Sequence, residues 1–421
     1  MITITDSKNF YRSDIKTQSP DISKNVSNII DSVIKQGDKA VIDYEKKFDG
    51  VELDSLLVSD SEIQHAIKSL DSKYIDMLKR AAKNIYEFHS KQVRTGFIYS
   101  DKEGVILGQK IIPLERVGLY VPGGTASYPS SVLMNAIPAK IAGCDEIYIA
   151  TPPEIKPEII AASHIAGVDK IFKMGGAQAI AAFAYGTESI KRVDKIVGPG
   201  NIYVSEAKRQ VFGRVAIDMI AGPSEILIIA DKNNYPAHLA ADMLAQAEHD
   251  KLATSILITN SKRLAKSVAD EIEIQLMNLE RKEIAREAIN NNGRIILVKN
   301  LDEAVNIANK IAPEHLELCV ENAFEWISAG KIRNAGSIFL GRNSPEALGD
   351  YYAGPNHTLP TMGTARFSSP LSVDDFIKKS QFIYYTSDAL NKASQDIEDF
   401  AKSEGLTGHA NSVVIRRPEK M

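Results

Sequence analysis

The chain is predicted to be an α/β protein of two Rossmann-like, doubly wound halves, with a helical N-terminal region and a C-terminal helical tail. Three observations predict it. From Arg116 onward, short apolar blocks each run into a Gly/Pro-rich turn and then into helical periodicity, the pattern of an open parallel sheet with crossover helices. A second alternation of the same kind begins at S-E-I-L-I-I-A, from Ser224. The first hundred residues and the chain after Pro370 are polar with helical spacing. At 421 residues there is room for two or three domains.

In order, Val26 to Phe48 and Asp71 to Gln92 are amphipathic helical segments, and Ser100 to Lys110 reads as strand-like pieces. V-G-L-Y then ends in P-G-G and a helix to Gly143. E-I-Y-I-A ends in T-P-P and a helix over Pro157 to Gly167, and K-I-F-K-M ends in G-G and a helix over Gln178 to Ala184. K-I-V ends in G-P-G-N before another helix, and V-A-I-D-M ends in A-G-P-S. In such sheets ligands bind beyond the carboxyl ends of the strands, which gathers the glycine turns at one crevice. The second half supplies a helix over Pro236 to Asp250, T-S-I-L-I-T-N, a long charged helix from Ser261 to about Asn290, R-I-I-L-V, and G-S-I-F-L-G near Gly341. Pro236 suits a first helical position, where its missing N–H is no loss.

A formal charge of −4 without a basic block argues against nucleic acid or a membrane surface as the main partner. Cys144 and Cys319 lie far apart in apolar runs, the pattern of buried, reduced thiols in a cytoplasmic protein. The N-terminus has no apolar leader and no run reaches the length of a membrane span.

Four of the eight histidines keep company that suggests chemistry. Gln246 and His249 share a helical face, and an amide oxygen beside an imidazole suits half of a borderline metal's shell. Glu314 and His315 follow Pro313 in a short helical or extended piece, where a carboxylate and an imidazole can accept protons from two different groups. Asp350 and His357 fall on a Gly/Pro-rich loop after a strand, a hard oxygen ligand and a donor to a carboxylate or carbonyl. Glu404 and His409 lie on a Gly-flanked loop of the tail, beyond a long helical segment. Taken singly, each pair also fits a solvated helix end or a surface turn. His65, His89, His164 and His238 sit in amphipathic patterns as structural or solvated groups. The turns at Gly123-Gly124, Gly175-Gly176 and Gly198-Pro199-Gly200 suggest backbone N–H groups facing a pyrophosphate, although none matches G-x-G-x-x-G. A-G-P-S-E is not a G-x-S-x-G elbow, which argues against a serine hydrolase.

Taken together, G-L-Y-V-P-G-G-T-A-S-Y-P-S-S-V-L-M-N, G-G-A-Q-A-I-A-A-F-A-Y-G-T, V-G-P-G-N-I-Y-V, D-M-I-A-G-P-S-E, Q-A-E-H-D, P-E-H-L-E and G-H-A-N-S occur in an order that resembles the histidinol dehydrogenase family. The resemblance runs from about Arg116 to the C-terminus. It implies oxidation of L-histidinol through L-histidinaldehyde to L-histidine with two NAD, the last step of histidine biosynthesis. It implies one Zn2+ per subunit on Gln246, His249, Asp350 and His409, holding the substrate's imidazole and amine. His315 matches the base for the hydroxyl proton and Glu314 the base that activates water. Tyr120, Gln178 and Asn201 match cofactor contacts. Ser224, His357 and Glu404 match substrate contacts, alongside His315 and the four metal-site residues. The resemblance further implies a homodimer whose C-terminal tail completes the partner's site. The corresponding division is 1–15 as N-terminal arm, 16–115 with 225–370 as the catalytic and metal domain, 116–224 as the NAD-binding domain and 371–421 as the dimerisation tail.

Three other readings are distinguishable. A relative with the same machinery acting on another alcohol, such as a sulfonated one, would differ in the groups that read the imidazole and carboxyl ends. A metal-dependent hydrolase would leave Tyr120, Gln178 and Asn201 without work. A non-catalytic metal-binding scaffold is the third, and the appearance of NADH absorbance with histidinol separates it from the enzyme.

Overall fold

The computed structural model describes residues 2–10, 22–123 and 128–418. Parts of the proposed arm (Met1 and residues 11–15) and Gly124 of the first glycine pair lie outside the described residues. Contacts divide the chain into two units: 1–92 with 114–376, and 93–113 with 377–421.

The larger unit opens with β1 (Thr3–Asp6) and four helices, α1 (Ser23–Gln36), α2 (Asp38–Phe48), α3 (Asp60–Ser69) and α4 (Ser72–His89). The expected single segment from Val26 to Phe48 is broken at Gly37, whose φ of 57° is left-handed and turns the chain between two helices. α3, which the sequence reading passed over, starts on a capping box: Ser59 accepts from Glu62 N–H while the Glu62 carboxylate accepts from Ser59 N–H.

β2 (Phe97–Tyr99) and β3 (Val105–Pro113) belong to the smaller unit. Next come β4 (Arg116–Tyr120), α5 (Pro129–Ala142), β5 (Glu146–Thr151), α6 (Pro157–Ala166), β6 (Lys170–Lys173), α7 (Gly176–Tyr185), β7 (Lys195–Val197), α8 (Ile202–Val211) and β8 (Ala216–Ile217). The five strands form a parallel sheet in the order β6-β5-β4-β7-β8. The order reverses between β4 and β7, the switch point of a Rossmann-type half. Helices cover both faces, which is why the strands read as unbroken apolar runs: Val117, Leu119, Ile147, Tyr148, Ile149, Ile196 and Val197 are all buried completely.

The second half repeats the plan with β9 (Glu225–Ala230), α9 (Pro236–Ala247), β10 (Thr254–Thr259), α10 (Lys262–Leu276), α11 (Lys282–Asn292), β11 (Arg294–Leu297), α12 (Leu301–Ile311), β12 (His315–Cys319), α13 (Ala323–Ser328), β13 (Ser337–Leu340) and α14 (Glu346–Tyr351). Its parallel order is β1-β11-β10-β9-β12-β13, with β1 from the N-terminus added at the edge. The long charged helix expected from Ser261 to Asn290 is two helices, α10 and α11. The apolar stripe of α10 stops at Leu276, and α11 begins a new one with Ala285, Ala288 and Ile289.

The smaller unit adds β14 (Ile377–Tyr385), α15 (Ser387–Ser403) and α16 (Thr407–Val414). Its antiparallel sheet runs β14-β3-β2, and α15 packs against α16. Among the described residues no helix is long and apolar enough to cross a membrane.

Candidate active site

Two clusters form in the larger unit, one at the carboxyl edge of the first sheet and one at the amino edge of the second.

At the first, Tyr120 ends β4 and its buried hydroxyl accepts from Gly176 N–H at 3.1 Å. Gln178, in the first turn of α7, is buried and donates its Nε2 to Glu45 Oε1 at 2.9 Å. Asn201 caps α8, its Oδ1 accepting from the N–H groups of Tyr203 and Val204 at 3.0 and 3.1 Å. Gly198, between β7 and Asn201, has φ 112°, and a Cβ there would collide with the Tyr120 carbonyl. The glycine turns therefore lie beyond the ends of β4, β6 and β7, as the strand rhythm predicts.

The second cluster departs from that rule. His315 is the first residue of β12, in register with Ile226 of β9 and Ser337 of β13, and Glu314 precedes it. The strand starts at His315 with Glu314 just before it, which settles the helix-or-strand ambiguity of P-E-H-L-E, and Glu314 Oε2 lies 3.6 Å from His315 Nδ1. The amino edge is used because α9 runs back there and delivers Gln246 and His249 at its C-terminal end. That end carries partial negative charge and favours a cation. α9 itself stops at Ala247, so His249 lies just past the helix, held by its N–H bond to the Gln246 carbonyl at 3.2 Å.

Glu314 is buried, and its Oε2 accepts from Glu225 N–H at 2.8 Å. Burial lifts its carboxyl well above the usual carboxylate range, with the negative charges of Glu225 and Asp350 adding to the rise and the backbone bond opposing it. His315 Nδ1 lies 3.1 Å from the Glu225 carbonyl, which can only accept, so Nδ1 carries the proton and Nε2 keeps a lone pair. Nε2 is buried, has no hydrogen-bond partner among the described residues, and faces Asp350 Oδ1 at 3.8 Å. Burial pushes this imidazole down to about 4, against the pull of Asp350, so the ring is neutral.

Asp350 is in α14, not on a loop, one helical turn after Glu346 on the same face. Ligand atoms of His249, Glu346 and Asp350 lie within 4.8 Å of one another. The Gln246 amide satisfies its surroundings when its nitrogen is turned to Glu346, 2.8 and 3.0 Å from the two carboxylate oxygens. Burial raises the Glu346 carboxyl, and its acidic neighbours Asp350, Glu314, Glu317 and Asp242 raise it further. A divalent cation would relieve this crowding, and one imidazole with two carboxylates is a donor set that zinc accepts. The residues present fit the ion.

His357 Nδ1 donates to the Asp350 carbonyl at 3.1 Å, leaving Nε2 to accept from Ser131 Oγ at 3.3 Å. Burial lowers this imidazole too, with Asp350 opposing. A cavity of about 180 Å³ is lined by His315, Asp350, His357, Phe339, Leu348 and Leu359. Ser224 is half-buried beside Glu225, its carbonyl accepting from Thr254 N–H. In the smaller unit, Glu404 closes α15 and His409 lies within the helix α16, both exposed in the single chain. Gly408 and His409 thus lie within a helix, with Gly405 before it, and not in the expected loop.

The sequence reading missed Glu346, Ser131 and Glu45. Glu346 was findable, since S-P-E-A-L-G-D sets two acids four apart behind a proline. Ser131 and Glu45 reach their partners across 226 and 133 residues, and no local pattern marks them.

The histidinol dehydrogenase family model matches residues 12–417. A histidinol dehydrogenase of Listeria innocua is 54% identical over 416 residues, covering 98% of this chain and 97% of the relative. One of Clostridium acetobutylicum is 53% identical over 403 residues, covering 95% and 93%. The crystal structure of histidinol dehydrogenase from Elizabethkingia anophelis superposes with a TM-score of 0.93 at 39% identity, covering 99% of this chain and 98% of that one.

Proposed function

The chain belongs to the histidinol dehydrogenase family, and from that membership we propose that it oxidises L-histidinol through L-histidinaldehyde to L-histidine, as an NAD- and zinc-dependent enzyme. The observation that carries the chemistry is the Glu314–His315 pair, two buried bases on adjacent residues in different protonation environments. Residues 116–224 take the dinucleotide through Tyr120, Gln178 and Asn201. Residues 16–115 with 225–370 carry the metal and the reacting groups, and 1–15 is an arm.

NAD, when bound, is the hydride acceptor of both oxidations. Zinc, when bound to Gln246, His249, Asp350 and His409, supplies a Lewis-acid anchor for the substrate's imidazole and amine. In the first oxidation His315 Nε2 takes the hydroxyl proton, its tautomer fixed by the Glu225 carbonyl. In the second, Glu314 takes a proton from the water that adds to the aldehyde. A carboxyl lifted by burial is a stronger base than a solvated one, which suits it to that task. Ser224, His357 and Glu404 orient the substrate, with His357 held by Asp350 and Ser131. The reading predicts NADH from L-histidinol and none from a sulfonated three-carbon alcohol; the reverse preference would assign the chain to a relative with another substrate.

Residues 371–421 form the tail of a homodimer, each site taking His409 and Glu404 from the partner. The single chain supports this by its exposed apolar residues in the smaller unit: Ile98, Ile383 and Phe400 are 70%, 74% and 70% accessible. Mixed refolding of inactive His249→Ala with inactive His409→Ala tests it. If the tail crosses, half of the randomly paired dimers hold one intact site, and about a quarter of normal activity returns. If hybrids form and the mixture stays dead, the tail serves its own chain.

A further inference from the structure

One buried carboxylate of the larger unit has no part in the chemistry above. Glu45, on α2, is fully buried beneath the turn that starts α7. Its Oε1 accepts from Gly175 N–H and from Gln178 Nε2, both at 2.9 Å. An oxygen that already takes a backbone N–H is an acceptor, so only the amide's nitrogen can point at it. The Gln178 oxygen is thereby turned away from Glu45. That oxygen is buried and has no hydrogen-bond partner among the described residues. Burial lifts the Glu45 carboxyl to about 7, with Asp49 adding to the rise and the Gln178 and Gly175 bonds opposing it, so the group is ionised above neutral pH. An orphaned acceptor at a buried turn is costly unless a ligand brings a donor to it.

The location narrows the donor. Gly123 after β4 and Gly175 after β6 both pack on Pro152, which follows β5, so the turns of three adjacent strands meet here. In a Rossmann half this edge takes the adenosine side of a dinucleotide, and an acid at the end of the second strand reads the ribose 2′-hydroxyl. Here that strand ends in Thr151-Pro152-Pro153, and the acid beyond, Glu154, is exposed. The buried carboxylate comes instead from the N-terminal helical region.

We propose that Glu45 is a positioning residue of the dinucleotide site: it fixes the Gln178 amide so that its oxygen accepts from the adenosine ribose hydroxyl, and its charge behind that oxygen selects NAD over the 2′-phosphorylated dinucleotide. A hydroxyl has a hydrogen for the waiting acceptor. A phosphate brings only further acceptors and negative charge. The proposal rests on the reading that Gln178 touches NAD, and the experiment separates the two.

The measurement is steady-state kinetics of the zinc-loaded enzyme with NAD and with NADP, well above neutral pH where Glu45 is ionised, for wild type, Glu45→Ala, Glu45→Gln and Gln178→Ala. Glu45→Ala frees the amide, and KM for NAD should rise about tenfold, the scale of one lost hydrogen bond, while KM for histidinol stays fixed. Glu45→Gln keeps an acceptor for both donors but removes the charge. It should hold KM for NAD within about threefold and lower the NAD-over-NADP preference in kcat/KM about tenfold, the scale of one lost charge contrast. If Gln178→Ala raises KM for NAD while neither Glu45 variant moves KM or preference, Glu45 is structural and the proposal is overturned. If Gln178→Ala leaves KM for NAD unchanged, the cofactor reading of Gln178 fails instead, and the proposal with it. Should Glu45→Ala fail to fold, the preference measured in Glu45→Gln decides alone: an unchanged ratio overturns the proposal.

Discussion

Glu314→Gln will leave oxidation of the alcohol largely intact and depress oxidation of supplied histidinaldehyde by ~100- to 10,000-fold, the usual cost of a missing general base. His315→Asn will do the opposite, depressing the alcohol step by a similar factor. The asymmetry follows from the surroundings of the two groups. His315 is a neutral imidazole whose Nδ1 is committed to the Glu225 carbonyl, so its free lone pair is at Nε2, on the side of Asp350. Glu314 is anchored to Glu225 N–H and lifted by burial, so it holds a proton more tightly than a solvated carboxylate would. Stopped-flow absorbance of NADH with each substrate separates the half-reactions. Equal losses on both steps in both variants would contradict the division of labour.

His249→Ala will lose zinc affinity by at least about 100-fold, more than supporting groups around a metal typically contribute. Histidinol binding will fall with it. The physical reason is the crowding of Glu346 and Asp350, which a cation relieves and beside which His249 supplies the imidazole ligand. NAD binding will survive, because Tyr120, Gln178 and Asn201 belong to the other sheet. Elemental analysis of the purified variant, with calorimetric titration of histidinol and of NAD, reads all three. A zinc-free variant that binds histidinol as wild type does would contradict the anchor.

The alternation of apolar blocks and glycine turns made both parallel sheets legible, because strands covered on two faces must be continuously apolar. The first cluster followed from that rhythm, since Tyr120, Gly175 and Gly198 come directly after strand blocks. The second could not be placed the same way. His315 begins its strand instead of ending it, and only the return of α9 to that edge brings Gln246 and His249 beside it. Hidden too were the supports that reach across the chain, Glu45 to Gln178 and Ser131 to His357, because a hydrogen bond over more than a hundred residues leaves no periodic trace. Helix ends were blurred where caps were weak: Gly37 splits one amphipathic pattern into two helices, and the tail around His409 is helical from Thr407 to Val414 with no side-chain cap at Leu406 to mark its start.

We propose that one site carries a bound substrate through two oxidations without releasing the aldehyde. NADH formed per L-histidinol consumed, measured with limiting histidinol and excess NAD, tests this most directly. Two NADH per histidinol are expected, with L-histidine as the product and no aldehyde trapped by added semicarbazide. One NADH per histidinol, with free histidinaldehyde accumulating, would contradict it.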